Sequence, residues 1–346
     1  MSVIKVFIIT TLSFLIAMIW TPFLVRFLQK HNFGKQIRDA SKTPIYSELH
    51  KKKLGTPTMG GVLVWVTVAF LALFFYYLSK FTDWQVAGFL NFLTRPQTLL
   101  PLGALVSSAI VGLIDDLLNI KKIGENGGGL GMMHRILIYT AIAVVGAWWF
   151  YFKLDWDLFH IPFVGNFNIG IWYIPIFIVV IVATAFSVNE TDGLDGLAGG
   201  TLLAAFAAYG AIAFSQGKID LAAFCGAIIG ALLAFLWFNI YPAKFFMGDT
   251  GAMSLGVVLG IIAMLTNTAL FLPIICGVFV LESLSVIIQV LSKKIRGKKV
   301  FLSAPIHHHL EARGWLEPTI VMRFWVIAGV CAVIGVILVL IDRSLV

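Results

Sequence analysis

Five short runs in this 346-residue chain gather residue types that bind phosphate and metal. In VGLIDDLLN at 111–119, Asp115 and Asp116 stand side by side at what reads as the C-terminal end of an apolar helix. A helix C-terminus carries partial negative charge and adjacent carboxylates repel each other, so something cationic must compensate. A divalent ion, a basic network around a substrate, or Lys121 and Lys122 would serve; solvated stop-transfer charges are the plain alternative. In FSVNETDGLDGLAGG at 186–200, Asn189, Asp192 and Asp195 are interleaved with Gly193, Gly196, Gly199 and Gly200. Asp192 and Asp195 would share a face if that segment is helical, and the glycines would let a nucleotide approach the backbone.

The run FNIYPAKFFMGDTGAM at 238–253 sets Asp249 where a helix should begin, in an N-cap position. Asn239 and Lys244 precede it, and Phe245, Phe246 and Met247, read as exposed, could stack a base. In APIHHHLEARGW at 304–315, His307, His308 and His309 cannot easily hold one metal, because successive side chains diverge on helix or strand alike. Two histidines binding phosphate or carboxylate and one structural is the better reading. Finally HKKKLGTPTMGG at 50–61 places Lys51, Lys52 and Lys53 ahead of a Pro/Gly turn containing Thr56. Such lysines ordinarily fix topology or touch anionic lipid, and here they could attract a lipid phosphate.

Acids, histidines and lysines in that combination are the inventory of phosphoryl transfer: carboxylates for a metal, and cations for developing charge. No Walker motif, no GxGxxG after a strand and no GxSxG is present, so ATP, dinucleotide and serine-hydrolase chemistry lack support.

The elements that must position these residues are membrane helices. With 60% apolar and 12% charged residues, the chain lies far from soluble composition. Ten spans are expected, at 4–28, 58–79, 97–114, 136–152, 171–188, 197–215, 220–239, 251–267, 270–292 and 320–341, with a turn at Thr266-Asn267-Thr268 and a bend in the ninth span near Glu282. The first span reads as retained rather than cleaved. The segment 153–170, with Trp156 and Trp172, reads as a small interfacial structure with aromatic anchors. Cys225, Cys276 and Cys331 each lie alone in an apolar run, so neither a disulfide framework nor a CxxC metal site is on offer.

With ten spans the loops alternate sides, and nineteen Lys and Arg fall on one side against six on the other. The positive-inside rule makes the richer side cytoplasmic and both termini periplasmic. Nearly every acid, histidine and glycine cluster falls on that side, so basic residues serve topology rather than nucleic acid. An all-α polytopic domain over 1–346 with its active-site cleft at the cytoplasmic face follows as the expectation.

Together the five runs resemble the polyprenyl-phosphate N-acetylhexosamine-1-phosphate transferase superfamily. TPTMGG at 56–61 and PIHHHLE at 305–311 are similar to its phospho-N-acetylmuramoyl-pentapeptide transferase branch. The resemblance implies transfer of phospho-N-acetylmuramoyl-pentapeptide from its UDP derivative to undecaprenyl phosphate, giving lipid I and UMP in peptidoglycan synthesis, with Mg2+ as cofactor, in a bacterial cytoplasmic membrane and as a homodimer. It implies that Asp249, with Asp115 and Asp116, holds the metal beside the reacting phosphates. Asn189, Asp192, Gly193, Asp195, Asn239 and Phe246 would then form the uridine-diphosphate pocket, and Lys53, Thr56, Lys121, Arg135, His307 and His309 would bind substrate, with His308 catalytic. Direct attack by the lipid phosphate is preferred over an Asp-bound intermediate. Asn119, Arg135 and Glu190 depart from the family's pattern of lysine, lysine and leucine. The alternatives are a sister transferase using UDP-N-acetylglucosamine and, more remotely, a secondary transporter, for which polar residues near mid-membrane would be needed.

Overall fold

Residues 2–31, 33–34, 53, 55–124 and 128–345 are described by the structure, a computed structural model. His50, Lys51 and Lys52 of the basic run lie outside the described residues. Because lipid offers no partner to backbone N–H and C=O groups, apolar segments satisfy them internally as helices. In chain order these are α1 (Ser2–Lys30), α2 (Val62–Phe81), α3 (Gln85–Leu90), α4 (Leu99–Ile120), α5 (Met132–Lys153), α6 (Tyr173–Thr191) and α7 (Leu197–Ser215). There follow α8 (Ile219–Asn239), α9 (Gly248–Leu265), α10 (Leu272–Ile275), α11 (Gly277–Arg296), α12 (Ile306–Ala312) and α13 (Glu317–Leu345). Among the described residues nine helices are long and apolar enough to cross a membrane. The expected ninth span is bent, as expected, into α10 and α11 at 86°. That bend falls at Cys276, six residues before Glu282, where Cys276 leaves helical geometry between the two helices.

Helix α9 is the centre of the bundle, 94% buried, whereas α1 and α13 are 22% and 28% buried and turn most of their surface outward. Close approach to α9 depends on missing side chains. A Cβ on Gly256 would lie 2.8 Å from Ala185 Cα on α6, and one on Gly112 of α4 would lie 2.4 Å from the Asp249 carbonyl oxygen. Helix–helix contact in lipid relies on such small residues, since apolar burial alone does not distinguish a neighbouring helix from a lipid tail. At the end of α9 the carbonyls are met by side-chain donors: Leu265 O accepts Lys218 Nζ (2.5 Å) and Thr266 O accepts Gln216 Nε2 (2.8 Å).

The turn at 266–268 forms as expected, with Asn267 at φ 52° and the Thr266 and Thr268 hydroxyls 2.8 Å apart. Segment 153–170 is a hairpin of β1 (Leu158–Ile161) and β2 (Gly165–Asn168), antiparallel with Phe159 opposite Phe167. It is tied down by Asn267 Oδ1, which accepts His160 N (3.0 Å), and by Asp342, which accepts Phe163 N and pairs with His160 Nε2, both at 2.5 Å.

Substituting Gly112→Ala should force α4 off α9, and overpacking of this kind costs about 1–3 kcal/mol. A lowered unfolding midpoint in detergent is expected; an unchanged one would show that the two helices can part without penalty.

Candidate active site

Asp115 and Asp116 do not end α4 as expected; the helix continues through them to Ile120. Both carboxylates are buried, and each meets a different compensating charge. Asp116 faces the start of α9, where Oδ1 accepts Asp249 N and Oδ2 accepts Thr250 N, each at 3.1 Å. A helix N-terminus presents unpaired N–H groups and partial positive charge, so an anion belongs there. Asp249 is therefore not the N-cap that its sequence position suggested. It lies in the first turn of α9, while the cap comes across from another helix.

Asp249 in turn holds two partners: Oδ1 accepts Asn189 Nδ2 (2.6 Å) and Oδ2 accepts Arg135 Nη2 (2.9 Å). Arg135 closes the ring by donating through Nη1 to Asn189 Oδ1 (3.0 Å), and its Nη2 pairs with Asp115 Oδ2 at 2.9 Å. That last pair is not aligned as a hydrogen bond, leaving Asp115 Oδ2 a buried oxygen without one, while Oδ1 accepts Leu130 N (2.6 Å). One guanidinium against the carboxylates of Asp115, Asp116 and Asp249 leaves net negative charge in this pocket. Lys121 is exposed and pairs with none of them. Hard carboxylate oxygens with surplus negative charge suit Mg2+, and the unbonded Asp115 oxygen is a donor such an ion would use. Among the described residues no three acid, histidine or cysteine side chains form a ready metal cage, and Arg135 Nη2 lies within 2.9 Å of both Asp115 and Asp249.

Asp192 and Asp195 do not share a helical face, because α6 ends at Thr191 and α7 begins at Leu197. The intervening turn instead sends them apart. Asp192 Oδ2 accepts Gly248 N (3.2 Å) beside the carboxylate group, whereas Asp195 binds Lys53 Nζ (2.7 Å) and Ala243 N (3.0 Å). Glu317, at the start of α13, also pairs with Lys53 and accepts Asp195 N (2.7 Å). Asn239 Oδ1 accepts Gly196 N and its Nδ2 donates to Phe245 O, so its amide braces the turn. Phe245, Phe246 and Met247, expected to be exposed, are all buried, and Lys53 Nζ lies 5.8 Å from the Phe246 ring centre. Thr56 lies apart, on the wall of an open cavity of about 630 Å³ shared with Gln29 and Lys244.

The histidines lie on α12. His307 Nδ1 meets Glu282 Oε2 of α11 (2.9 Å), and His308 Nδ1 meets Glu311 Oε2 (2.7 Å), so two of the three do bind carboxylates. His309 turns away, accepting Leu302 N and packing edge-on against Phe301. On its other edge His307 presses against the same turn: a Cβ on Gly193 would lie 2.2 Å from its Nε2. The turn 192–196 is thus the junction of all three groups.

Sequence reading missed Glu317 and the bracing roles of Glu282 and Glu311. An acid at a helix start looks like ordinary dipole compensation; only the unpaired Lys53 far upstream could have asked for it.

Burial pushes the His307 imidazole down, but the Glu282 carboxylate outweighs it and holds its pKa above the usual 6.5. A raised folded-state pKa stabilises fully below the unfolded value and is lost as pH rises through the raised one. The unfolding midpoint should therefore fall as pH rises beyond 6.5, and His307→Gln should flatten that dependence. Parallel curves for parent and variant would remove the tie from the account.

The chain matches the model of glycosyl transferase family 4 over residues 98–267. It is 40% identical over 345 residues to a phospho-N-acetylmuramoyl-pentapeptide-transferase of Chloroflexus aggregans, covering 96% of this chain and 89% of that one. A protein of the same name from Geobacillus sp. is 39% identical over 94% of this chain and 95% of its own length, and one from Clostridium novyi is 39% identical over 93% of each. Identity at that level from end to end, across a chain whose acids converge on one buried site, places it in the phospho-N-acetylmuramoyl-pentapeptide-transferase family.

Proposed function

We propose that this chain transfers phospho-N-acetylmuramoyl-pentapeptide from UDP-N-acetylmuramoyl-pentapeptide to undecaprenyl phosphate, giving lipid I and UMP. The observation that carries the chemistry is the group of buried Asp115 and Asp116 with half-buried Asp249, Asn189 and Arg135, an anionic pocket with one fixed guanidinium. In the reaction an oxygen of the lipid phosphate bonds to the sugar-bearing phosphorus of the diphosphate. The bond from that phosphorus to the bridging oxygen breaks, and UMP leaves with the electron pair. Polyprenyl phosphate is largely ionised at neutral pH, so no base is required. Asp116 is ill suited to be one, since both its oxygens already accept backbone N–H groups. Its part is to fix the start of α9, and with it Asp249.

Asp249 and Asp115, backed by Asp116, are the groups that would hold Mg2+, which when bound neutralises diphosphate charge. Arg135 and Lys53 supply protein cations, each fixed by carboxylates that the substrate's phosphates would replace. Asn189 orients both Arg135 and Asp249. Asp192, Gly193, Asp195, Asn239 and Phe246 shape the nucleotide pocket, the first four through the turn 192–196 and its brace. His308, held by Glu311, faces the phosphates with His307 behind it, while Thr56, Lys121 and His309 meet the outer parts of the substrate. The chain acts as a single membrane domain over 1–346 in a bacterial cytoplasmic membrane, with this pocket toward the cytoplasm, both termini outside, and two copies pairing as a homodimer.

Purified protein in detergent with undecaprenyl phosphate and Mg2+ should release UMP from UDP-N-acetylmuramoyl-pentapeptide and not from UDP-N-acetylglucosamine; the reverse preference would move the chain to the sister branch. Asp249→Asn should abolish Mg2+-dependent turnover with the unfolding midpoint retained, and turnover near the parent level would sink its metal role. Arg135→Lys replaces a planar fork that bridges three side chains with a point charge. Its turnover should drop by about 10²–10³, and a drop below threefold would show that position and not planarity suffices.

A further inference from the structure

Helix α11 is built inside out relative to a helix of a soluble protein. Glu282, Ser283, Ser285, Gln289 and Ser292 are buried against the protein, while Leu281, Leu284, Ile288, Leu291 and Ile295 form an exposed stripe at three- and four-residue spacing. A polar face turned inward and an aliphatic face turned outward suit a helix lying against hydrocarbon. Its end is strongly basic. Lys293, Lys294, Arg296, Lys298 and Lys299 occupy 293–299, all exposed.

These cations are held together by design of the turn that follows. Gly297 takes φ 66° and reverses the chain, Ser292 Oγ donates to Lys298 O (2.9 Å), and Gln289 Oε1 accepts Val300 N and Phe301 N, each at 3.0 Å. Gln289 Nε2 returns a bond to Phe301 O (2.9 Å), so the turn carrying Lys298 and Lys299 is pinned back along the helix end. No ion pair joins any of the five to a described acidic side chain. Like charges gathered by a locked turn repel one another unless anions settle among them. On either side the exposed aliphatic groups Ile295, Val300 and Leu302 give the patch an apolar base, from which lysine and arginine stems reach outward.

We propose that the end of α11 and the turn 297–301 form a docking surface for the anionic headgroups of bilayer phospholipids. The aliphatic stripe lies among acyl chains, and the five cations take phosphate oxygens at the lipid surface. This surface is separate from the carboxylate pocket, and it concerns structural lipid, not the lipid substrate.

The test titrates the full-length protein in detergent with phosphatidylglycerol or phosphatidylcholine and follows bound lipid by native mass spectrometry. Parent protein should prefer phosphatidylglycerol roughly tenfold or more. Replacing all five cations with glutamine should erase that preference, while Lys80→Gln, Arg95→Gln and Lys153→Gln combined should keep it. The double variant Lys298→Gln and Lys299→Gln, which leaves the helix itself untouched, should lose part of the preference and keep the parent's unfolding midpoint. A short polyprenyl phosphate should not displace the retained lipid. Full preference in both glutamine variants, or displacement by the polyprenyl phosphate, would overturn the proposal.

Discussion

The N-terminus of α9 is packed against α4 and the turn before it, and its first N–H groups would be costly to leave bare. Asp116 answers two of them from a different helix. Because the acceptor is a carboxylate at the positive end of a helix, the contact is both a hydrogen-bonded cap and an electrostatic one, of the stronger, charge-assisted kind. It fixes α4 against α9 where Gly112 allows the backbones to meet. It also fixes Asp249, one residue into that helix, and through Asp249 the ring of Arg135 and Asn189. Remove that carboxylate and the remaining acids lose the frame that makes them a site.

Much of this was legible in the sequence and some was not, for reasons that differ by residue. The spans were readable because length and hydrophobicity alone decide what crosses lipid, and α7 came out at the expected limits, 197–215. Asp115, Asn189, Arg135 and Asp249 were picked out singly, yet their mutual contact was not, since it joins residues up to about 130 positions apart on four elements. The N-cap reading of Asp249 failed because capping is usually local, whereas here the capping carboxylate is contributed by α4. Phe245, Phe246 and Met247 were misread as exposed because the loop's sequence conceals that its backbone folds under α2, where Gly60 N donates to Phe246 O and Gly61 N to Met247 O. The histidine triplet was judged rightly as to carboxylate partners. Which carboxylates could not be read, as Glu282 lies on α11 and only the fold brings it near.

Charge is distributed through the structure so that few ionic groups stand alone inside. Lys53 is shared by Asp195 and Glu317, Arg135 by Asp115 and Asp249, Lys5 by Asp220 and the Asn91 carbonyl. Burying a charge without a partner is severely unfavourable. Lys5 in this way ties α1 both to α8, through Asp220, and to the segment after α3, through the Asn91 carbonyl.

The turn 192–196 touches the carboxylate group through Asp192, the α12 histidines through Gly193 and the Lys53 pair through Asp195. A segment of five residues shared by three sets of partners cannot shift for one without shifting for the others. By thermodynamic reciprocity, a substrate phosphate that drew Lys53 away from Asp195 would, through this shared turn, alter the affinity of the Asp249 group for the Mg2+ proposed above, and the converse would hold to the same degree. Under the function proposed above, nucleotide recognition and cation affinity would be a single linked equilibrium, governed by the short loop Asp192-Gly193-Leu194-Asp195-Gly196.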